Sequence, residues 1–149
     1  MIDGVLKIPL KQIQDKRGNV MHMLRATDPH FYKFGEVYFS WANPGYIKAW
    51  KKHTLHTMNF AVPVGSMKVV VYDDRPESSS YNSVEEFILG FENYYLLTIP
   101  SGVWYGFKAE GKQSAMIVNC ATHPHDPEES LTLDSLSPAI PYIWEPSND

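Results

Sequence analysis

The chain has 149 residues, of which 44% are hydrophobic and 20% charged, with a net charge of −4 and one cysteine. This is the profile of a globular protein long enough to bury a core, expected as a single domain over residues 1–149. The acidic balance argues against nucleic acid or an anionic membrane as partner. The lone thiol, Cys120, excludes an intrachain disulfide, and its strand-like neighbours Ile117 and Val118 predict a buried, inert group; the opening M-I-D-G-V-L-K-I-P-L is too short and acidic for a signal peptide and no run reaches membrane-helix length, so a cytoplasmic setting is expected.

The first punctuation is Asp15-Lys-Arg-Gly18, a turn ahead of a strand predicted over Asn19 to Leu24. Arg17 beside a flexible glycine can offer a bidentate fork to a phosphate or carboxylate, or sit in the turn as a solvated charge. Further strands are predicted over Gly35 to Trp41 and Tyr46 to Trp50.

Lys48 to His56, K-A-W-K-K-H-T-L-H, is the densest polar and aromatic cluster. Strict alternation puts Lys48, Trp50 and Lys52 on one face of a strand and Ala49, Lys51 and His53 on the other. One set would line an interior, where desolvation lowers a lysine pKa and makes it a base or an anion contact. The alternative is an edge strand whose lysines discourage sheet-to-sheet pairing. His53 and His56 have H-x-x-H spacing, which on a strand sends the rings to opposite faces. A structural or catalytic metal centre needs three or more protein ligands, so no metal is expected.

Strands follow over Asn59 to Val64 and Met67 to Asp73, joined at Gly65, with Pro63 near a strand end. Asp73-Asp-Arg75 reads as a strand-end ion pair that anchors the next loop. Ser83 to Leu89 carries a capping-box pattern, Ser83 with Glu86, and predicts a short helix closed by Gly90; a short strand is the alternative. Strands are then predicted over Tyr94 to Ile99, Val103 to Ala109 and Ser114 to Cys120. The first two are joined by a turn at Pro100 and Gly102, the second and third by a turn at Gly111. From Thr122 a proline-rich, acidic segment predicts irregular structure wrapped on the body. Many short strands between turns indicate an all-β sandwich or barrel. Carboxylate pairs drawn from Glu85, Glu86, Glu128 and Glu129 fall in loop-like contexts, and no phosphate loop or nucleophile elbow is present.

Five stretches taken in order resemble the dTDP-4-dehydrorhamnose 3,5-epimerase family. They are D-K-R-G at Asp15, G-Y-I-K-A-W at Gly45, V-P-V-G-S-M-K-V-V-V-Y-D-D-R at Val62, I-P-S-G-V-W-Y-G-F at Ile99 and A-I-P-Y-I-W at Ala139. The resemblance implies a cupin jelly-roll barrel, a homodimer, no metal or cofactor, and a sugar nucleotide whose diphosphate is held by basic residues. It carries a ligand-binding role onto Arg17 and puts Lys48 where the family has an arginine. Lys51 stands at the family's histidine base, Asn119 at its tyrosine acid, and Tyr105 at a histidine of the turn motif, facing the barrel mouth. The orienting aspartate falls beyond Trp144, where Asp149 is the only acid past Glu145. Lys51, His53 and Tyr105 are thus the candidate catalytic groups, with Arg17, Lys48, Trp50 and Asn119 as candidate substrate contacts. Three readings follow: a divergent sugar-nucleotide epimerase or isomerase, a binding module that keeps the pocket without the chemistry, and a scaffold cupin with an unrelated small ligand.

Overall fold

Short runs of β-branched and aromatic residues, separated by turns at glycine and proline, fill most of the chain. In the computed structural model, which describes residues 1–145, the strands are β1 (Leu6–Pro9), β2 (Gln12–Ile13), β3 (Val20–Met21), β4 (Glu36–Ala42), β5 (Ile47–His53), β6 (Met58–Val64), β7 (Ser66–Asp73), β8 (Val84–Gly90), β9 (Tyr95–Ile99), β10 (Val103–Ala109), β11 (Ala115–Ala121) and β12 (Ser130–Thr132). Two five-stranded sheets result, in the orders β1-β9-β6-β11-β4 and β12-β5-β10-β7-β8, with β2-β3 as a separate ribbon. All pairings are antiparallel, and the sheets face one another as a jelly roll. The described residues contain no helix, and so none long and apolar enough to cross a membrane.

The main core lies between the sheets, where Phe60, Val62, Val69, Val71, Leu97 and Ile117 are almost fully buried. A second cluster lies on the outer side of the β5-β10-β7 sheet. There Trp50, Val70, Tyr72 and Trp104 are covered by Ile140 and Trp144 of the C-terminal segment. This explains why β7 departs from alternation: Val69 and Val71 face inward, Val70 faces the outer cluster, and all are buried. Each buried valine contributes about 1.5–3 kcal/mol. The C-terminal segment is irregular apart from β12, as its prolines predict, and its close seating requires Gly106. A Cβ there would meet Ala49 Cβ at 2.4 Å and the Trp144 ring at 3.0 Å.

The predicted helix over Ser83 to Leu89 is the strand β8 instead. Its whole length pairs with β7, and Phe87 and Leu89 point into the main core while Glu86 and Ile88 face out. Seven residues of helix would leave the β7 edge unpaired, and ladder hydrogen bonds outweigh one capping box. The strand predicted over Asn19 to Leu24 shrinks to the two residues of β3. The turns hold as read, with positive φ at Gly65, Gly102 and Gly111.

Asp73 and Arg75 do form the anchoring pair. Arg75 Nε donates to Asp73 Oδ1 at 2.8 Å, and the Ser78 and Ser80 hydroxyls donate to Oδ2. Burial works to raise the Asp73 carboxyl, but these donors outweigh it and hold the group far below the usual carboxylate range. Asp73→Ala should therefore destabilise the fold by about 3 kcal/mol, read as a lower urea midpoint. A change below about 1 kcal/mol would show that solvent replaces the carboxylate without penalty.

Candidate active site

Strand β5 does not keep the alternation its sequence suggests. Tyr105 of β10 pairs with Lys51, but Gly106 pairs with Ala49, so Trp50 is an extra residue, a β-bulge. The bulge turns Lys48 to the same side as Lys51, each opposite an inward aromatic residue, Phe107 and Tyr105 respectively. Lys52 and Trp50 go to the outer side. There Lys52 meets Asp74 at 3.1 Å, and the Trp50 ring packs on Tyr142 and Trp144. The expected grouping of Lys48 with Trp50 and Lys52 is thereby corrected. β5 is also not an edge strand, since β10 and β12 flank it.

A cavity of about 440 Å³ opens between the two sheets, within the range of small-molecule sites. The β5-β10 wall presents Lys48, Lys51, Tyr105 and Phe107; the opposite wall presents Tyr38, Ser40, Phe60 and Asn119. Lys48 Nζ donates to Ser40 Oγ at 2.8 Å and to the Trp41 carbonyl at 3.0 Å, bridging the walls. Of the expected substrate contacts, Lys48 and Asn119 line the cavity by their side chains. Trp50 borders it, but its ring belongs to the outer cluster. Arg17 lies outside the cavity lining, on the exposed turn between β2 and β3, bonded to Asp15 at 2.6 Å.

Tyr105 is buried, 6% exposed, within the barrel and not at its mouth as expected. Its hydroxyl lies 3.0 Å from His53 Nε2, and His53 Nδ1 lies 2.6 Å from Glu129 Oε1. Among the described residues the carboxylate that meets His53 is Glu129, well before Trp144; Asp149 lies outside them. Glu129 was weighed in the sequence only as a loop carboxylate, yet it is 7% exposed. Its Oε2 accepts the backbone N–H groups of Leu55 and His56, at 2.8 and 2.9 Å. Burial works to raise its pKa, but those N–H donors and His53 hold it at about 2.

The protonation pattern follows. An ionised Glu129 accepts hydrogen bonds only, so His53 Nδ1 carries the proton. Burial keeps the ring neutral by lowering its pKa below the ordinary histidine value, against the raising effect of Glu129. Nε2 is then an acceptor, and the Tyr105 O–H donates to it. Burial, together with the neighbouring Tyr38 and Glu129, raises the Tyr105 phenol far above its ordinary value, so it stays protonated.

His56 lies past the end of β5, so its ring escapes the alternation that would have turned it away. His53, His56 and Glu129 place donor atoms within 4.8 Å of one another. The two imidazoles are stacked, 13° from parallel. Both Nδ1 atoms approach one oxygen, Glu129 Oε1, at 2.6 and 3.4 Å, and the other carboxylate oxygen takes the N–H groups of Leu55 and His56. The cluster reads as a hydrogen-bonded support for His53. Cys120 is half-buried, less than expected, and burial raises its thiol pKa, which disfavours the nucleophilic thiolate.

Tyr38 was missed in the sequence. The stretch Val37-Tyr-Phe-Ser-Trp41 alternates, and the signal was there: Val37, Phe39 and Trp41 face out, leaving Tyr38 and Ser40 on the cavity side.

The comparisons with known proteins follow the same lines. The profile of the dTDP-4-dehydrorhamnose 3,5-epimerase family matches residues 1–148. The probable low-salt glycan biosynthesis epimerase of Haloferax volcanii is 31% identical over 117 residues, 77% of this chain and 75% of that protein. The spore coat polysaccharide biosynthesis protein SpsL of Bacillus subtilis is 31% identical over 129 residues, 87% of this chain and 85% of that protein. The crystal structure of a dTDP sugar isomerase from Desulfovibrio desulfuricans G20 superposes with a TM-score of 0.94 at 44% identity, covering 96% of this chain and 92% of that one.

Both His53 and Glu129 are held below their unfolded values, so the unfolded chain binds the extra protons as pH falls. Stability is expected to be fullest above about pH 6.5. It should then decline as His53 titrates, and again from 4.5 towards about 2 as Glu129 does. In Glu129→Gln the second decline should flatten in thermal melts run across pH. An unchanged acid limb would mean that Glu129 is not the linked group.

Proposed function

Because this chain belongs to the dTDP-4-dehydrorhamnose 3,5-epimerase family, we propose that it is a sugar-nucleotide epimerase or isomerase of carbohydrate biosynthesis, working by proton abstraction beside a keto group. The observation that carries the reading is the string Tyr105–His53–Glu129, buried behind the cavity and ending in it. Abstraction of a proton α to a carbonyl needs an acceptor for the proton and a donor for the oxyanion.

Tyr105 and His53 supply the acceptor as a relay. The substrate C–H bond breaks and its proton goes to the Tyr105 oxygen, while the Tyr105 hydroxyl proton passes to His53 Nε2. The imidazolium so formed is stabilised by the Glu129 carboxylate 2.6 Å from Nδ1. The electron pair moves onto the carbonyl oxygen, where Lys51 on the same wall donates a hydrogen bond. This uses the lysine at the family's histidine position as an oxyanion donor and places the base one relay further back. The step is redox-neutral and needs no redox cofactor.

The size of the cavity suits a sugar ring, with the nucleotide extending from the mouth past Lys48. The diphosphate role of Arg17 belongs to the same proposal; its guanidinium is exposed but now engaged by Asp15. A homodimer is proposed as well. Val37, Phe39 and Trp41 form an exposed apolar row on β4, the edge strand of its sheet, and uncovered rows of this kind mark interfaces. A cytoplasmic location is proposed from the single free thiol, Cys120.

Incubation with a dTDP-4-keto-6-deoxyhexose in heavy water should introduce deuterium at the carbons flanking the keto group, followed by NMR. Tyr105→Phe and His53→Ala should each slow that exchange about 10²- to 10⁴-fold, and Arg17→Ala should weaken nucleotide binding in calorimetry. Binding without exchange in the unaltered protein would favour the binding-module reading; neither binding nor exchange would leave the fold alone. Sedimentation should give twice the chain mass of 17.0 kDa, and a monomer at micromolar concentration would remove the dimer.

A further inference from the structure

The bulge in β5 is held from one flank only. On the β10 side the register slips at Trp50, and that residue has no partner on β10. On the other flank the ladder runs on without a slip, with Ser130 opposite His53, Leu131 opposite Lys52 and Thr132 opposite Lys51. It continues one residue past β12. The Trp50 N–H donates to the Leu133 carbonyl at 2.8 Å, and the Leu133 N–H donates to the Trp50 carbonyl at 3.1 Å. Both backbone groups of the extra residue are therefore satisfied by the C-terminal segment.

The same segment holds the side chain. The Trp50 ring lies 5.3 Å from the Trp144 ring and meets Tyr142 edge-on at 6.0 Å. At the slip itself Gly106 stands opposite Ala49, the smallest pair the two strands can offer, and a Cβ on Gly106 would strike both Ala49 and the Trp144 ring.

A regular ladder is the alternative state, and its effect on the cavity follows from the register. The His53 end of β5 is tied by Glu129 and by the Gly102 N–H, which donates to the His53 carbonyl at 2.7 Å. Regular pairing must therefore slip at the other end. With Tyr105 still opposite Lys51, Phe107 would stand opposite Ala49 and Lys108 opposite Lys48. Lys51 and His53 would keep their places. Lys48 alone would leave the cavity, turned to the outer side against the like charge of Lys108.

We infer that Trp144 is a positioning residue for ligand binding: by clamping the bulged Trp50 it keeps Lys48, in place of Ala49, inside the cavity. The inference rests on the reading of Lys48 as a nucleotide contact at the mouth. Its signature is a loss confined to Lys48, because the Tyr105–His53–Glu129 string and Lys51 lie on the tied half of the strand.

The test is a double-mutant cycle read by calorimetry with dTDP. Lys48→Ala should weaken binding about 10-fold, the worth of a charge-assisted hydrogen bond. Trp144→Ala should weaken it by a similar factor, and the double variant by no more than either alone, since the lysine is already displaced. Trp144→Phe, which keeps a ring against Trp50, should restore most of the affinity. With a dTDP-4-keto-6-deoxyhexose in heavy water, Trp144→Ala should raise KM about 10-fold and leave kcat within about 2-fold. If Trp144→Ala does not fold, Tyr142→Ala thins the same clamp and goes through the same cycle. Losses that multiply in the double variant would overturn the proposal, because Trp144 would then act independently of Lys48. Unchanged binding in folded Trp144→Ala, or a fall in kcat as large as the rise in KM, would overturn it too. If the unaltered protein binds no dTDP, the nucleotide reading itself fails and takes the role of Trp144 with it.

Discussion

The hydrogen bond from His53 to Glu129 orders most of the site. One buried carboxylate closes the end of β5 by accepting from Leu55 and His56, and it sets the tautomer of His53 through Nδ1. The Glu129 backbone carbonyl also takes the Thr54 hydroxyl at 2.6 Å, so the segment before β12 is tied to the segment after β5 at several points. A buried carboxylate is tolerable only when donors surround it. Here those donors are the backbone of one loop and the ring of the proposed relay. Loop position and proton position are consequences of the same satisfied charge.

The bulge at Trp50 is the second constraint. One extra residue in β5 collects Lys48 and Lys51 on the cavity side and sends Trp50 and Lys52 outward. The outward residues are put to use: Trp50 joins Trp144 and Tyr142 under the C-terminal segment, and Lys52 pairs with Asp74. The outer cluster therefore fastens the C-terminal segment to the same strand that presents the lysines, and packing outside the sheet supports geometry inside it.

The jelly roll adds what a single sheet cannot. Two facing sheets put side chains on both sides of a ligand, and each wall carries a phenol. Tyr105 is buried behind the cavity and coupled to an imidazole, whereas Tyr38 stands nearer the mouth and is held by an amide.

Much of the fold was legible in the sequence because its signals are local. Runs of β-branched and aromatic residues and the glycines at 65, 102 and 111 mark the strands and turns from β4 to β11, apart from β8, and Asp73 with Arg75 is readable as a pair two residues apart. Where local signals competed, as in the capping box at Ser83, the partner strand β7 decided for a strand. Lys51, His53 and Tyr105 were readable in the sequence as chemical groups, but not their arrangement. The bulge that regroups the lysines depends on how β5 pairs with β10. The stacking of His53 on His56 depends on where that strand stops. Glu129 meets His53 across 76 positions of sequence. The sequence by itself determined the strands, the turns and the chemical groups available, because each follows from a few neighbouring residues. Only the tertiary structure decided which of those groups share a cavity and which way their protons point, because that depends on hydrogen bonds between segments that meet only once the sheets have closed.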